Sequence, residues 1–247
     1  MKIFIDPGHG GNSVGAVLGE RYEKDDVLRL SLLIKEILSS QDNVEVMLSR
    51  EDDNSLEISE RVKMAEDFGA DYFLSVHRNA AGRNIASGAE IWCYSKIAVG
   101  GKTYLKAKNI LSELCKASGF LSRGVKLGAP SYEDFGVNRL TTMNSALLEV
   151  GFIDSDTDNK IFDEKLKESA KGIAVGLMAA VGLNFKEKEI PGDVNGDGKI
   201  TSSDARSILR ASVGLEEVPL QRGDMDGDGK ITSSDARTAL RKATGLE

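Results

Sequence analysis

Only two histidines occur among the 247 residues, so any imidazole chemistry must use one or both. His9 lies in Asp6-Pro-Gly-His-Gly-Gly11 and His77 in Ser75-Val-His-Arg-Asn-Ala80. Each follows a short apolar run that reads as a buried strand, which sets both imidazoles just past strand carboxyl ends. One loop histidine is more often structural, but two at equivalent strand ends point to a shared cleft. The glycines around His9 remove side-chain bulk and let a metal or substrate approach the backbone. Glu23, in Tyr22-Glu-Lys-Asp-Asp26, begins the first long helix, where the macrodipole favours any acid. It is either a plain helix-start residue or a third ligand. Two imidazoles and a carboxylate with a fourth position open make a catalytic zinc arrangement, whereas structural zinc takes four protein ligands. Glu149 interrupts the apolar strand Leu147-Leu-Glu-Val-Gly-Phe-Ile153, and burying an unpaired carboxylate is costly. It has either a salt-bridge partner or a task; opening on the same cleft, it could carry a proton from water to a leaving nitrogen.

A second kind of chemistry lies near the other end of the chain. Gly192-Asp-Val-Asn-Gly-Asp-Gly-Lys-Ile-Thr-Ser-Ser-Asp-Ala-Arg206 returns, with two replacements, from Gly223 to Arg237, 31 residues on. Oxygen ligands at loop positions 1, 3 and 5, a glycine at 6 and a backbone carbonyl at 7 describe a calcium loop. The first loop offers Asp193, Asn195, Asp197 and the carbonyl of Lys199; the second offers Asp224, Asp226, Asp228 and the carbonyl of Lys230. Position 12 is Asp204 or Asp235, where EF-hands usually carry glutamate. A lone string of this kind can be an acidic surface turn; two near-identical copies argue for two bound calcium ions. Each loop leads into a helix, over 203–212 and 234–243, and no helix precedes the first, so a full helix–loop–helix pair is disfavoured.

These residues must be held by a scaffold, and the rest of the chain reads as alternating strands and helices. Strands are expected over 2–5, 44–48, 71–76, 89–94, 137–140 and 146–150. Helices are expected over 24–39, 55–68 (capped by Asn54 or Ser55), 102–118 and 161–181. Strands separated by helices imply an α/β fold: a three-layer, largely parallel twisted sheet with helices on both faces, followed by a small all-α calcium-binding module. Right-handed crossovers carry the chain from the first strand to an edge neighbour and back, setting the first and third strands side by side. That is the topological switch where open α/β sheets form their crevice. Composition shifts near residue 184, giving a main domain over 1–184, a linker over 185–191 and the repeat module over 192–247.

The charge balance narrows the function. A net charge of −7 argues against the basic face of a nucleic-acid binder, so a nucleic-acid partner is not expected. No apolar run reaches the 18 or so residues of a membrane span. Cys93 and Cys115 make no paired zinc or redox motif and read as buried unpaired thiols. The chain opens directly into strand-like sequence without a signal-peptide pattern. The run Arg50-Glu-Asp-Asp-Asn54 reads as a solvated turn.

In these motifs, residues 1–183 resemble the zinc-dependent N-acetylmuramoyl-L-alanine amidases of bacterial cell-wall hydrolysis and phage lysis. The carrying segments are Ile5-Asp-Pro-Gly-His-Gly-Gly11, Tyr22-Glu-Lys24 before a helix, Leu48-Ser-Arg50, Glu60-Arg61, Asp71 to Ala80, and Leu148-Glu-Val-Gly-Phe-Ile153. The resemblance implies that His9, Glu23 and His77 bind zinc and that Glu149 is catalytic, with Glu20 the rival for Glu23. It also implies the substrate, the amide between N-acetylmuramic acid and the L-alanine of a peptidoglycan stem peptide. Arg50 and Arg61 would then pair with acidic neighbours. Three departures stand out. Arg78 replaces a small residue and is expected to alter the cleft rim, Asn144-Ser145 replaces a proline, and Ser155 replaces an asparagine; together they bear on peptide preference.

The doubled loop–helix unit over 192–247 similarly resembles a type I dockerin, which implies a cohesin-bearing scaffold protein as partner and an extracellular or wall-associated location. Ser202, Ser203, Ser233 and Ser234, at loop positions 10 and 11, are then partner contacts or ordinary helix caps. Two other readings stay open: a wall-peptide binding protein that does not cut, and a zinc amidase acting on another peptide.

Overall fold

The computed structural model describes residues 1–128, 135–187 and 189–246. Lys188, in the expected linker, and Glu247 lie outside the described residues. Contacts divide the chain into two units, Met1–Phe185 and Lys186–Glu247.

In the first unit the chain runs through β1 (Lys2–Pro7), a small hairpin of β2 (Val17–Leu18) and β3 (Arg21–Tyr22), α1 (Glu23–Ser39), β4 (Glu45–Leu48), α2 (Ile58–Phe68) and β5 (Tyr72–Asn79). It continues through β6 (Ala89–Cys93), α3 (Lys102–Ser118), β7 (Ser122–Leu127), α4 (Gly136–Leu140), β8 (Asn144–Phe152), α5 (Asp156–Glu164) and α6 (Leu166–Ala180). The six-stranded sheet has the order β4-β1-β5-β8-β6-β7. β1 lies between β4 and β5 and pairs in parallel with both, so the first and third main strands are neighbours, as the crossovers require. Only the β6–β8 pairing is antiparallel among the sheet's ladders.

Side chains alternate across the strands and build a core on each face. Ile3 and Ile5 of β1, Leu74 and Val76 of β5, and Leu148 and Val150 of β8 face the large core beneath α1, α3 and α6. Phe4, Phe73 and Leu147 face the smaller core against Ala65 of α2 and Val137 of α4. These are the expected three layers. Toward the strands' carboxyl ends the smaller-core side turns polar, with Asp6, Ser75, His77 and Glu149 continuing the alternation.

Several elements of this unit depart from the sequence reading, the unforeseen β2–β3 hairpin among them. Residues 137–140 form the helix α4 rather than a strand, because so short an apolar run fits either period. β7 was not foreseen: Ser-Arg-Gly-Val-Lys-Leu is an edge strand whose polar residues and glycine read as loop. The helix over 161–181 is two helices, divided at Lys165, whose ψ of 27° leaves the helical region. α2 starts at Ile58 rather than near 55, because Glu57 and Glu60 form a reciprocal capping box.

The second unit contains α7 (Ser202–Ala211), the one-turn α8 (Leu220–Gly223) before the second acidic loop, and α9 (Ser233–Ala243). α8 was not foreseen. Ala205 and Ile208 of α7 meet Ala236 and Ala239 of α9, with Ile200 and Ile231 packed against them. No helix among the described residues is long and apolar enough to cross a membrane.

Candidate metal centre

His9 sits at φ 60°, in the left-handed region that non-glycine residues seldom adopt. Two buried arginines hold its loop there. Arg61 donates to Asp6 Oδ1 at 2.6 Å, to the Pro7 carbonyl at 2.8 Å and to the His9 carbonyl at 2.6 Å. Arg50 donates to the carbonyls of Pro7, Gly8 and Lys24 at 3.1, 2.7 and 2.9 Å. The acidic pairing expected for Arg61 is therefore made with Asp6. Arg50 instead satisfies backbone carbonyls, and it is buried while residues 51–54 around it are exposed. Ser13 Oγ lies 3.1 Å from His9 Nδ1, leaving Nε2 to face inward.

Glu23 is the first residue of α1, whose opening turn also carries Asp25 and Asp26. Its side chain is 5% exposed, and each oxygen is committed. Oε2 lies 3.1 Å from His9 Nε2 and accepts the Ala16 amide at 2.8 Å. Oε1 lies 2.8 Å from His77 Nδ1 and accepts the Arg78 amide at 3.0 Å. One ligand atom from each of His9, Glu23 and His77 falls within 4.8 Å of the others. The two rings meet edge-on with centroids 4.9 Å apart. Glu20, the rival, is exposed in the turn between β2 and β3. Burial pushes the Glu23 carboxyl up, but the hydrogen bonds and charges of His77 and His9 outweigh it and hold the group well below the usual carboxylate range. For His77 burial acts downward, and the bond and charge of Glu23 reverse the sign, leaving the imidazole raised.

His77 lies within β5, not past its end, directly opposite Glu149 of β8 in the parallel ladder. Register partners share a sheet face, so Glu149 stands beside the imidazole. Its Oε2 is buried without a hydrogen-bond partner among the described residues. Burial first, then the charges of Glu23 and Glu90, push this carboxyl up to about 8, against the opposing pull of His77 and Arg78. A carboxyl poised near neutral pH beside a cluster of metal-ligand type can take and return a proton. A cleft of about 330 Å³ opens over the two histidines, with Ile58, Phe135 and Leu147 along its apolar wall.

The departures noted in the sequence lie elsewhere. Arg78 does not reach the cleft rim. Alternation along β5 sends it to the opposite face, where it pairs with Asp26 at 2.6 Å and lies over the Phe162 ring. Ser155 caps α5 by accepting the Asp158 amide, and Asn144 accepts from Thr103. Cys93 is buried and Cys115 partly buried, and both are free. Sequence reasoning missed Glu90, although it is also a lone acid in an apolar strand, the signal that marked Glu149. It missed Asn79 too, two residues beyond His77 and so on its face.

In the second unit, Asp193 accepts the amides of Gly196, Asp197 and Gly198, and Asp224 accepts those of Gly227 and Gly229. Asp197 and Asp228 accept the amides of Lys199 and Lys230. Asn195 bonds Asp197, and Asp224, Asp226 and Asp235 bring ligand oxygens within 4.8 Å of one another. Asp204 and Asp235 also complete capping boxes with Thr201 and Thr232, which starts each helix one residue earlier than expected. Ser202, Ser203, Ser233 and Ser234 are exposed at the helix starts.

Comparison with known proteins gives matches to both units. Residues 3–179 match the N-acetylmuramoyl-L-alanine amidase family, and residues 191–240 match the type I dockerin domain. The N-acetylmuramoyl-L-alanine amidase CwlM of Bacillus licheniformis is 37% identical over 191 residues, covering 74% of this chain and 70% of that protein. The sporulation-specific N-acetylmuramoyl-L-alanine amidase of Bacillus subtilis is 37% identical over 186 residues, covering 74% and 69%. Among solved structures, the catalytic domain of the amidase CwlV from Bacillus (Paenibacillus) polymyxa var. colistinus aligns with a TM-score of 0.67 at 32% identity, covering 74% of this chain and 99% of that one.

Proposed function

The chain belongs to the N-acetylmuramoyl-L-alanine amidase family, and from that premise we propose that it hydrolyses the amide between N-acetylmuramic acid and L-alanine with one zinc ion held by His9, Glu23 and His77. The observation that carries this reading is the convergence of two imidazole nitrogens on the two oxygens of one buried carboxylate, at 3.1 and 2.8 Å. The donor set fits: two nitrogens and one oxygen, with Ser13 orienting one ring from behind as metal-binding histidines usually require. Zinc bound by such a set supplies Lewis-acid activation of water and of the scissile carbonyl.

The chain's own residues do the rest. Glu149 takes the proton of the attacking water on its unpartnered oxygen and returns it to the departing nitrogen. The carbon–nitrogen bond breaks, leaving a lactyl carboxylate and a free alanyl amine. Arg50 and Arg61 fix the backbone of the His9 loop, and the cleft wall of Ile58, Phe135 and Leu147 limits water around the reacting atoms. A fold that only bound wall peptides would leave a buried, unpaired carboxyl beside the ligand set with nothing to do.

The second unit we read as a docking module with two structural calcium ions. One is held by Asp193, Asn195, Asp197, Asp204 and the Lys199 carbonyl, the other by Asp224, Asp226, Asp228, Asp235 and the Lys230 carbonyl. The exposed helix starts at Ser202–Ser203 and Ser233–Ser234 face a cohesin-bearing partner, which puts the enzyme outside the cell or at the wall. The domains on this reading are 1–184 and 192–247, joined by 185–191.

The test is mass spectrometry of defined muropeptides incubated with the protein, with zinc removed and restored. The expected product is the freed stem peptide, in the zinc-loaded state alone. Glu149→Ala is expected to keep zinc while losing cleavage by about 10²- to 10⁴-fold. Wild-type turnover in that variant would remove Glu149 from the mechanism, and no product from the zinc-loaded protein would overturn the amidase reading.

A further inference from the structure

Beside Glu149 the sheet carries a second buried carboxylate that the mechanism leaves unused. Glu90 of β6 stands opposite Glu149 in the antiparallel ladder, with a side chain 5% exposed. Both of its oxygens are occupied. Oε1 accepts from Asn79 Nδ2 at 2.9 Å and Trp92 Nε1 at 3.1 Å, and Oε2 accepts from Arg123 Nε at 2.8 Å. Arg123 reaches it through an irregularity in the edge strand. Ala89 pairs with Ser122 but Ile91 with Val125, so Arg123 and Gly124 together oppose Glu90 in a bulge. Gly124 has φ 84°, and the space beside it is open. Bulges next to active sites commonly re-aim a side chain.

The guanidinium is fixed from two sides. Its Nε is held by Glu90, and its Cζ lies over the Phe152 ring, 4.9 Å from the centroid. The side chain remains 36% exposed, and neither Nη group has a partner among the described residues. A fixed arginine with both Nη groups open is a planar fork suited to a carboxylate. β8 and β7 are two strand spacings apart, about 10 Å. A peptide advances about 3.3–3.6 Å per residue. A group two or three residues along from an amide cleaved at Glu149 therefore reaches the fork.

We propose that Arg123, held by Glu90 and Phe152, is a specificity-determining residue that binds a carboxylate of the stem peptide two or three residues beyond the scissile amide. This rests on the amidase reading. The test uses the zinc-loaded full chain and two muropeptides that differ only in whether the peptide's side carboxylates are free or amidated. Wild type is expected to favour the free acid in kcat/KM by about tenfold to a hundredfold, mostly through KM. Arg123→Gln is expected to bring that ratio to about 1, and Arg123→Lys, which keeps the charge but not the fork, to an intermediate value. Calorimetric binding of the same two substrates to Glu149→Gln protein, with and without Arg123→Gln, is expected to show the same ratio in Kd. Equal handling of both substrates by wild type would overturn the proposal, as would a ratio that survives both substitutions at Arg123. Should Arg123→Gln not fold, an undiminished ratio in Arg123→Lys overturns it alone. Wild-type cleavage of the amidated substrate keeps the amidase reading whatever the ratio, whereas cleavage of neither substrate would overturn that reading and this one together.

Discussion

Asp6 and Arg61 meet at 2.6 Å with side chains only 1% and 6% exposed, so neither charge has water to fall back on. Removing one partner of a buried pair usually costs about 3–5 kcal/mol, because the other stays behind uncompensated. Arg61→Ala is expected to cost stability of that order in urea unfolding and to weaken zinc binding as well, since the same guanidinium holds the His9 carbonyl. Glu149 makes the opposite kind of demand. Its carboxyl is pushed up to about 8 in the folded, metal-free protein, while the unfolded chain ionises near 4.5. Below the lower value both states are protonated and the residue adds no pH dependence to stability. Between the two values the unfolded state alone releases its proton, so folding weakens by up to about 1.4 kcal/mol per pH unit, and above the upper value the penalty is constant. Metal-free Glu149→Gln is thus expected to match wild type at pH 4 and exceed it at pH 8 in thermal unfolding; a gap that does not widen with pH would contradict this. Residue type alone made His9, His77 and Glu149 legible, because imidazoles are scarce here and an acid in an apolar strand is costly. Glu23 was preferred to Glu20 on the register of the helix that follows it, and the fold turns Glu23 inward beside both histidines while Glu20 stays exposed. Arg50 was misread because its neighbours are charged, whereas its partners are carbonyls that no sequence displays.

At the scale of elements, the site exists because three strand ends and one helix start converge. α1 begins at Glu23 with three acids in its first turn, as the positive helix end favours, and so delivers the carboxylate beside the β1 and β5 ends. The β1 turn must pass close under the second imidazole. A Cβ at Gly8 would lie 2.3 Å from His77 Cε1, so only glycine permits the approach. Gly8→Ala is expected to leave the fold in place while lowering zinc affinity on the order of 10- to 100-fold, read by competition with a chelating dye. Unchanged affinity would mean that the ring can shift without loss. The parallel elements β1, β4, β5 and β8 were readable as short apolar runs set between helical segments. α4 and β7 were not, for different reasons: α4 is too short to show a period, and β7 is a half-exposed edge whose Arg-Gly bulge mimics a loop.

At the scale of the molecule, two units of unequal core share one chain. The larger buries strands on both faces, while the smaller, among its described residues, gathers only Ala205, Ile208, Ala236 and Ala239 as buried apolar residues. So thin a core needs help to hold a fold, and on the proposed reading the paired acidic loops would supply it by binding calcium. Removing calcium while zinc is kept supplied is expected to abolish the helical signal of residues 186–247 and leave the melting of the larger unit unchanged; a retained signal would contradict a calcium-dependent fold. The repeat was legible because it is written twice, and the α/β architecture because strands and helices alternate. The central claim is that one zinc ion is shared by His9, Glu23 and His77, and the most direct measurement is anomalous diffraction at the zinc edge from crystals of the full chain. The expected result is one strong peak within bonding distance of His9 Nε2, His77 Nδ1 and a Glu23 oxygen, and its absence from Glu23→Ala crystals. Zinc bound elsewhere, or no peak at those three side chains in zinc-loaded protein, would contradict it.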